Sequence, residues 1–210
     1  MTTPCCWRWR GVLPDDLIFP VLIYIHGFNS SALSYKAGLL REHMIRLGHA
    51  AQYACPELSH RPAQAMAQLR DLLAPHDART VTLVGSSLGG YYATWLVENL
   101  GARAVLVNPA VRPYDLLAAQ VGPQKNLYTG AEYEFTAAHL AELRALETER
   151  ITPAGYLLVT ATGDEVLDYR DGVRRYAGCE QIVVAGGDHG FRGFADYLDP
   201  VIAFWQRGRV

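Results

Sequence analysis

The stretch VTLVGSSLGGYYATWLVENL, residues 81–100, decides how the chain is read. Its first five residues are apolar and β-branched with no polar alternation, the mark of a strand buried on both faces. Its last thirteen, 88–100, read as a helix. Between the two lies Gly85-Ser86-Ser87-Leu88-Gly89, a G-x-S-x-G sequence. A sharp strand-to-helix turn of this kind strains the serine backbone and needs glycines on either side for close approach. Six serines and 19 glycines in 210 residues give about 0.05 such matches by chance. The context therefore carries more weight than the pattern, and it predicts Ser87 as a nucleophile, with Ser86 as its flank. The bland alternative is an ordinary Gly-Ser turn.

Outward from this segment, strands are predicted at 21–25 (VLIYI), 50–54, 104–108, 156–160 and 181–185, and helices near 35–47, 63–74, 168–177 and 194–205. In the first helix Leu39, Leu40, Met44 and Leu47 recur at helical spacing, and Gly48 is placed to end it. Strand–helix alternation implies right-handed crossovers and a parallel sheet covered on both faces. The 47 residues between 108 and 156 are too many for one crossover. They are expected to hold two helical pieces, about 113–121 and 136–148, joined by a loop. This gives a small helical cap insertion at about 110–150 over the carboxyl edge of the sheet.

Size and composition fit this reading. Half of the 210 residues are hydrophobic, enough for one full core, so residues 21–207 are expected to form a single domain behind an extension at 1–20. A net charge of −2 gives no reason to expect nucleic acid as a partner. WRWR (7–10) is the only tight basic and aromatic cluster, and is read as part of the extension. No apolar run has the length of an export signal or of a membrane span, so no membrane partner is expected. The four cysteines, Cys5, Cys6, Cys55 and Cys179, have neither disulfide nor zinc spacing, which suits reduced thiols in the cytoplasm. Oligomeric state is not legible.

In a parallel sheet the ligand crevice lies beyond the carboxyl ends of the strands, and three further segments place reactive groups there. His26-Gly27-Phe28-Asn29 follows the first strand. Acyl transfer needs preorganised donors for an oxyanion, and the expected donors are the backbone N–H groups of Phe28 and Leu88, with Asn29 as a possible side-chain contributor. His26 precedes the serine and is read as holding the loop. Asp164, after the strand at 156–160, is the expected orienting carboxylate, with Glu165 and Asp168 as alternatives. Asp168 also has a helix-capping role open to it, and Val166 is expected to pack beneath the loop. His189 in GGDHGF follows the last strand and is the expected base; Asp188 beside it is assigned to the turn. Tyr114, Tyr128, Tyr133 and Phe135 are expected mainly to pack the cap, and His60 to be a surface residue that could line a rim. No cluster of His, Cys and carboxylates has metal-ligand spacing, so no cofactor or metal is expected.

Together with HGFNSS (26–31), GSSLGG (85–90), NPA (108–110), YTG (128–130), TGDEVLDY (162–169) and GGDHGF (186–191), these residues resemble the small bacterial esterases of the YqiA type, within the α/β-hydrolase superfamily. The similarity covers about 21–205. It implies an α/β-hydrolase fold with a reduced cap, a Ser87–Asp164–His189 triad, no cofactor, a cytoplasmic location, and a small acyl ester or thioester as substrate. The residues leave open a thioesterase or small peptidase with the same triad, and a binding protein that kept the fold without catalysis. The 20-residue leader departs from the resemblance.

Overall fold

The computed structural model describes residues 21–208. The extension at 1–20, with Cys5, Cys6 and WRWR, lies outside them. A six-stranded, all-parallel sheet runs through the centre in the order β2-β1-β3-β4-β7-β8. Its strands are β1 (Val21–Ile25), β2 (Tyr53–Ala54), β3 (Val81–Ser86), β4 (Arg103–Val107), β7 (Tyr156–Ala161) and β8 (Glu180–Val184).

Alternate residues of the central strands feed two separate cores, and this explains why the strands read as unbroken apolar runs. On one face Ile23, Ile25, Leu83, Leu106 and Leu158 pack against α2 (Pro62–Leu73) and α3 (Leu88–Leu100). On the other, Leu22, Val84, Val105, Leu157 and Val159 meet α1 (Tyr35–Arg46) and α7 (Leu198–Gln206). Each fully buried Leu, Ile or Val here contributes about 1.5–3 kcal/mol of transfer free energy. The edge strand β8 is half-exposed and carries Glu180 and Gln181, so its run is the most polar of the five longer strands.

The chain passes from β1 outward to β2, then returns over β1 to β3 and proceeds the other way through β4, β7 and β8. The reversal puts a crevice beyond the carboxyl ends of β1 and β3, where open parallel sheets bind ligands. This architecture is the α/β-hydrolase fold.

Three elements differ in detail from the sequence expectation. Residues 50–52 form a single 3₁₀ turn and only Tyr53–Ala54 pair with β1. The last helix begins as a 3₁₀ segment at Arg192–Tyr197 and becomes α-helical at Leu198, with Pro200 in its first turn where no backbone N–H is needed. The cap has its two helical pieces, α4 (Pro113–Leu116) continued as a 3₁₀ turn to Gln120, and α5 (Ala137–Arg144). The loop expected between them is an antiparallel hairpin, β5 (Gly122–Lys125) and β6 (Glu132–Phe135). The remaining helix, α6 (Tyr169–Arg175), starts at Asp168, whose side chain accepts from the Arg170 N–H as an N-cap. Cys55 and Cys179 are free thiols.

Candidate active site

Ser87 sits between β3 and α3 with φ 54° and ψ −120°. A non-glycine residue at such a positive φ is strained, and the surroundings must impose it. They do so through the Ser87 N–H, which donates to the Val107 carbonyl at 3.1 Å, and the Ser87 carbonyl, which accepts from Gly90 and Ala110. The turn also presses α3 against β1: a Cβ on Gly89 would lie 2.0 Å from the Ile25 carbonyl oxygen. No side chain fits there. Ser86 is buried, and as the second residue after Val84 on β3 it shares the face that packs against α1 and α7.

His189 Nε2 stands 3.1 Å from Ser87 Oγ, and His189 Nδ1 stands 2.8 Å from Asp164 Oδ2 and 3.0 Å from Oδ1. The carboxylate thereby fixes the proton on Nδ1 and leaves Nε2 free to accept from the serine hydroxyl. The three residues expected from the sequence are thus brought into one hydrogen-bonded series. The Asp164 side chain is 1% exposed. Burial alone would raise its pKa, but hydrogen bonds from His189 and from the Leu167 and Val166 N–H groups outweigh it and hold the carboxyl below its ordinary range. The place of Val166 is corrected: it is 57% exposed instead of packed beneath the loop.

The other nearby carboxylates are occupied elsewhere. Asp168 caps α6, and Asp188 accepts from the Arg192 N–H and pairs with the Arg192 guanidinium. Glu165 reaches His189 only at its backbone, accepting from the His189 N–H at 2.9 Å.

Phe28 and Leu88 both border a cavity of about 380 Å³ beside Ser87. Leu88 is the first residue of α3, so its N–H has no intrahelical acceptor. The loop after β1 comes close to the nucleophile: a Cβ on Gly27 would lie 3.1 Å from Ser87 Cβ and 3.6 Å from Oγ. His26 holds this loop as expected. Its Nε2 accepts from the Leu58 N–H at 3.1 Å, which leaves the proton on Nδ1, 3.1 Å from the Gly27 carbonyl. Burial pushes its pKa down, against the opposing effects of Gly27 and Glu57.

Asn29 is committed to the cap. Its Nδ2 donates to Gln124 Oε1 at 2.9 Å and its Oδ1 accepts from the Tyr133 hydroxyl at 2.6 Å. With Leu127 N–H donating to the Asn29 carbonyl and Asn126 Nδ2 to the Ser30 carbonyl, the hairpin is seated on the 26–31 loop by four hydrogen bonds. Tyr114 and Phe135 pack as expected, whereas Tyr128 is half-exposed. His60 is exposed, stacks on Tyr133 at 4.3 Å between ring centroids and borders the cavity.

Two supporting residues carried no assignment from the sequence. Asn108, 2% exposed, donates to the Asp188 and His189 carbonyls at 3.1 and 3.3 Å and accepts from the Ala161 N–H at 2.9 Å and the Thr160 hydroxyl at 3.2 Å. It ties the ends of β4 and β7 to the His189 loop, and the stretch NPA was its only trace. Lys36 on α1, 9% exposed, donates to the Gly190 carbonyl at 2.7 Å. Burial pushes its ammonium down to about 8, with Asp188 and Asp164 pulling the other way. Its position within a helix pattern gave no sign of this.

Residues 21–206 match the model of the family described as "Uncharacterised protein family (UPF0227)". The chain belongs to that family. Among solved structures, it is similar to a protein from Agrobacterium vitis S4 at 19% identity and TM-score 0.70, over 89% of this chain and 88% of that one. Est1E from Butyrivibrio proteoclasticus matches at 15% identity and TM-score 0.64, over 90% and 88%. Alpha/beta hydrolase domain-containing protein 10 from mouse matches at 17% and 0.63, over 88% and 90%. At these identities the likeness is one of fold. Among the described residues no helix is long and apolar enough to cross a membrane, and no group of three or more His, Cys, Asp or Glu side chains is placed to hold a metal ion.

Proposed function

We propose that this protein is a serine hydrolase that cleaves carboxylic esters of small molecules through an acyl-enzyme. The observation that carries the reading is the continuous series Asp164–His189–Ser87, with contacts of 2.8 and 3.1 Å, ending on a serine held at a strained strand-to-helix turn. The structural likeness to Est1E, one structure of which has ferulic acid bound, and to an esterase domain from Rhodothermus marinus agrees with ester chemistry.

In the proposed reaction His189 Nε2 takes the proton of Ser87 Oγ as the oxygen attacks the ester carbonyl. The backbone N–H groups of Phe28 and Leu88 receive the oxyanion. His189 then returns the proton to the leaving oxygen, the alcohol departs, and Ser87 carries the acyl group. Water, deprotonated by His189, attacks the acyl-serine; the acyl–Oγ bond breaks, His189 returns the proton to Ser87 Oγ, and the acid is freed. Asp164 keeps the imidazole in the productive tautomer and balances its positive charge. Side chains and backbone donors carry every step, so the scheme calls on no cofactor.

Ser87→Ala tests it. Hydrolysis of p-nitrophenyl acetate should fall by about 10⁴-fold or more and labelling by a fluorophosphonate should disappear, with the thermal transition unchanged. Ser86→Ala should keep most of the activity. Substantial turnover by purified Ser87→Ala would overturn the proposal.

A further inference from the structure

The cavity beside Ser87 has a chemistry of its own. His189 must protonate the leaving oxygen, so the alcohol has to depart on the imidazole side. Ser87, His189 and the rest of the His189 loop do not border the cavity, whereas Leu88, next to Ser87 in the chain, and Gly27, packed against Ser87, do, with Phe28 beside them. A carbonyl held between Ser87 and the Phe28 and Leu88 N–H groups, with its alcohol toward His189, would turn its acyl group to this cavity.

Its volume of about 380 Å³ equals roughly a dozen water molecules, hence about a dozen non-hydrogen atoms of ligand. Aromatic rings form much of its wall: Phe28, Tyr92, Tyr133 and His60. His60 and Tyr133 lie nearly parallel, and Phe28 meets Tyr133 edge to face at 6.5 Å. Among the described residues Glu57 is the only carboxylate on the wall, and no lysine or arginine joins it; Arg61, one residue beyond His60, does not border the cavity. The Glu57 carboxylate is half-exposed, and one of its oxygens accepts from the Ala32 N–H at 3.0 Å. Desolvation lowers the pKa of both wall histidines, His26 and His60, so neither cancels this charge at neutral pH.

We propose that this cavity is the acyl site, that it takes a ring-bearing acyl group of about a dozen non-hydrogen atoms, and that Glu57 makes it prefer a cationic acyl group to an anionic one. A positive group gains from the carboxylate and from the electron-rich faces of the tyrosines together. A negative group meets the carboxylate with no cation on the wall to answer it. The inference rests on the serine-hydrolase reading above, with Glu57 as the residue that sets specificity.

The test uses p-nitrophenyl esters of 3-phenylpropanoic acid carrying a para aminomethyl, ethyl or carboxylate group. All share one leaving group, so differences in kcat/KM report the acyl side. For a half-exposed carboxylate, the cationic ester should exceed the anionic one by about 10-fold at low salt. That ratio should shrink as salt is added. Glu57→Gln keeps an oxygen to accept from Ala32 and should bring the ratio within about threefold. A mirror series with the charges on the leaving alcohol should discriminate less. The inference is overturned if the wild type takes the anionic ester equally well, if Glu57→Gln leaves the ratio unchanged, or if the alcohol series discriminates more strongly. Should Glu57→Gln fail to fold, the salt dependence of the wild-type ratio decides, and a ratio indifferent to salt refutes the role of the charge. Ser87 separates the two readings: a fluorophosphonate-labelled, active enzyme without charge preference sinks the inference alone, while turnover of these esters by Ser87→Ala sinks both.

Discussion

Replacing Asn108 by alanine removes four hydrogen bonds at the point where two strand ends meet the His189 loop. The Thr160 hydroxyl can rotate toward another acceptor, but the buried Ala161 N–H cannot. Leaving it unpaired costs about 1–3 kcal/mol. The loop loses its hold on the Asp188 and His189 carbonyls, worth about 0.5–1 kcal/mol apiece. Asn108 has φ 41°, which asparagine tolerates through its short polar side chain and alanine does not, adding about 1 kcal/mol. The sum is about 3–4 kcal/mol, allowing for overlap between neighbouring contacts. At about 2–4 °C per kcal/mol for a chain of this size, Tm should drop by about 6–16 °C. The urea midpoint should fall with an unchanged m-value. Activity should fall as well, because His189 loses a restraint on its backbone and a displacement near 1 Å can cost about 10²-fold. Measured at about 20 °C, where the variant remains folded, kcat/KM should be about 10–100-fold down. A variant with Tm within about 2 °C of the wild type and kcat/KM within about twofold would refute the view that Asn108 carries the loop.

Asp164→Asn should cut kcat by about 10²–10⁴-fold, since an amide can favour the wrong imidazole tautomer, while Asp168→Asn and Asp188→Asn stay within about tenfold; the reverse ranking in steady-state kinetics would move the acid to another residue. The same variant has a thermal signature. The Asp164 carboxyl titrates below its ordinary value in the folded protein, so its contribution to stability is full above about pH 4 and is lost as pH falls through the folded value. The Tm gap between wild type and Asp164→Asn should therefore narrow from about pH 6 to about pH 3, and a constant gap would contradict that assignment. Activity should survive exhaustive dialysis against EDTA; loss restored by zinc or manganese would point to metal-assisted hydrolysis.

The strands were legible where burial on both faces wrote a continuous apolar run, as in VLIYI and VTLVG. They were hard to read where that condition fails. The hairpin segments are four residues each: GPQK is polar and holds a proline, while EYEF does alternate glutamates with inward-facing rings, but over the shortest stretch on which an alternation can be read. β2 keeps only two paired residues, and the apolar character of 50–54 overstates it. At the site, Ser87, Asp164 and His189 could be picked out because each lies directly after a strand, where a parallel sheet collects its reactive groups. Asn108 and Lys36 could not. Their roles come from contacts with backbone carbonyls at least 80 positions away, and a carbonyl leaves no mark in the identity of its residue. Asn29 was read from its neighbourhood, and its side chain was instead claimed by Gln124 and Tyr133 from a hairpin the sequence did not disclose.

The seating of the hairpin on the 26–31 loop has a consequence for how such an enzyme can diverge. Tyr133 borders the cavity and bonds Asn29, the residue next to Phe28, so one piece of chain both shapes the pocket and braces the loop that carries the proposed oxyanion donor. Selection for a new substrate that remodels the hairpin would disturb turnover in the same stroke. Changes at Glu57, which lies outside the four bonds that fasten the hairpin, leave that brace alone, whereas His60 stacks on Tyr133. Adaptation should accordingly proceed first on the side of the loop after β2, with the hairpin altered only alongside compensating changes at positions 29, 30 and 124.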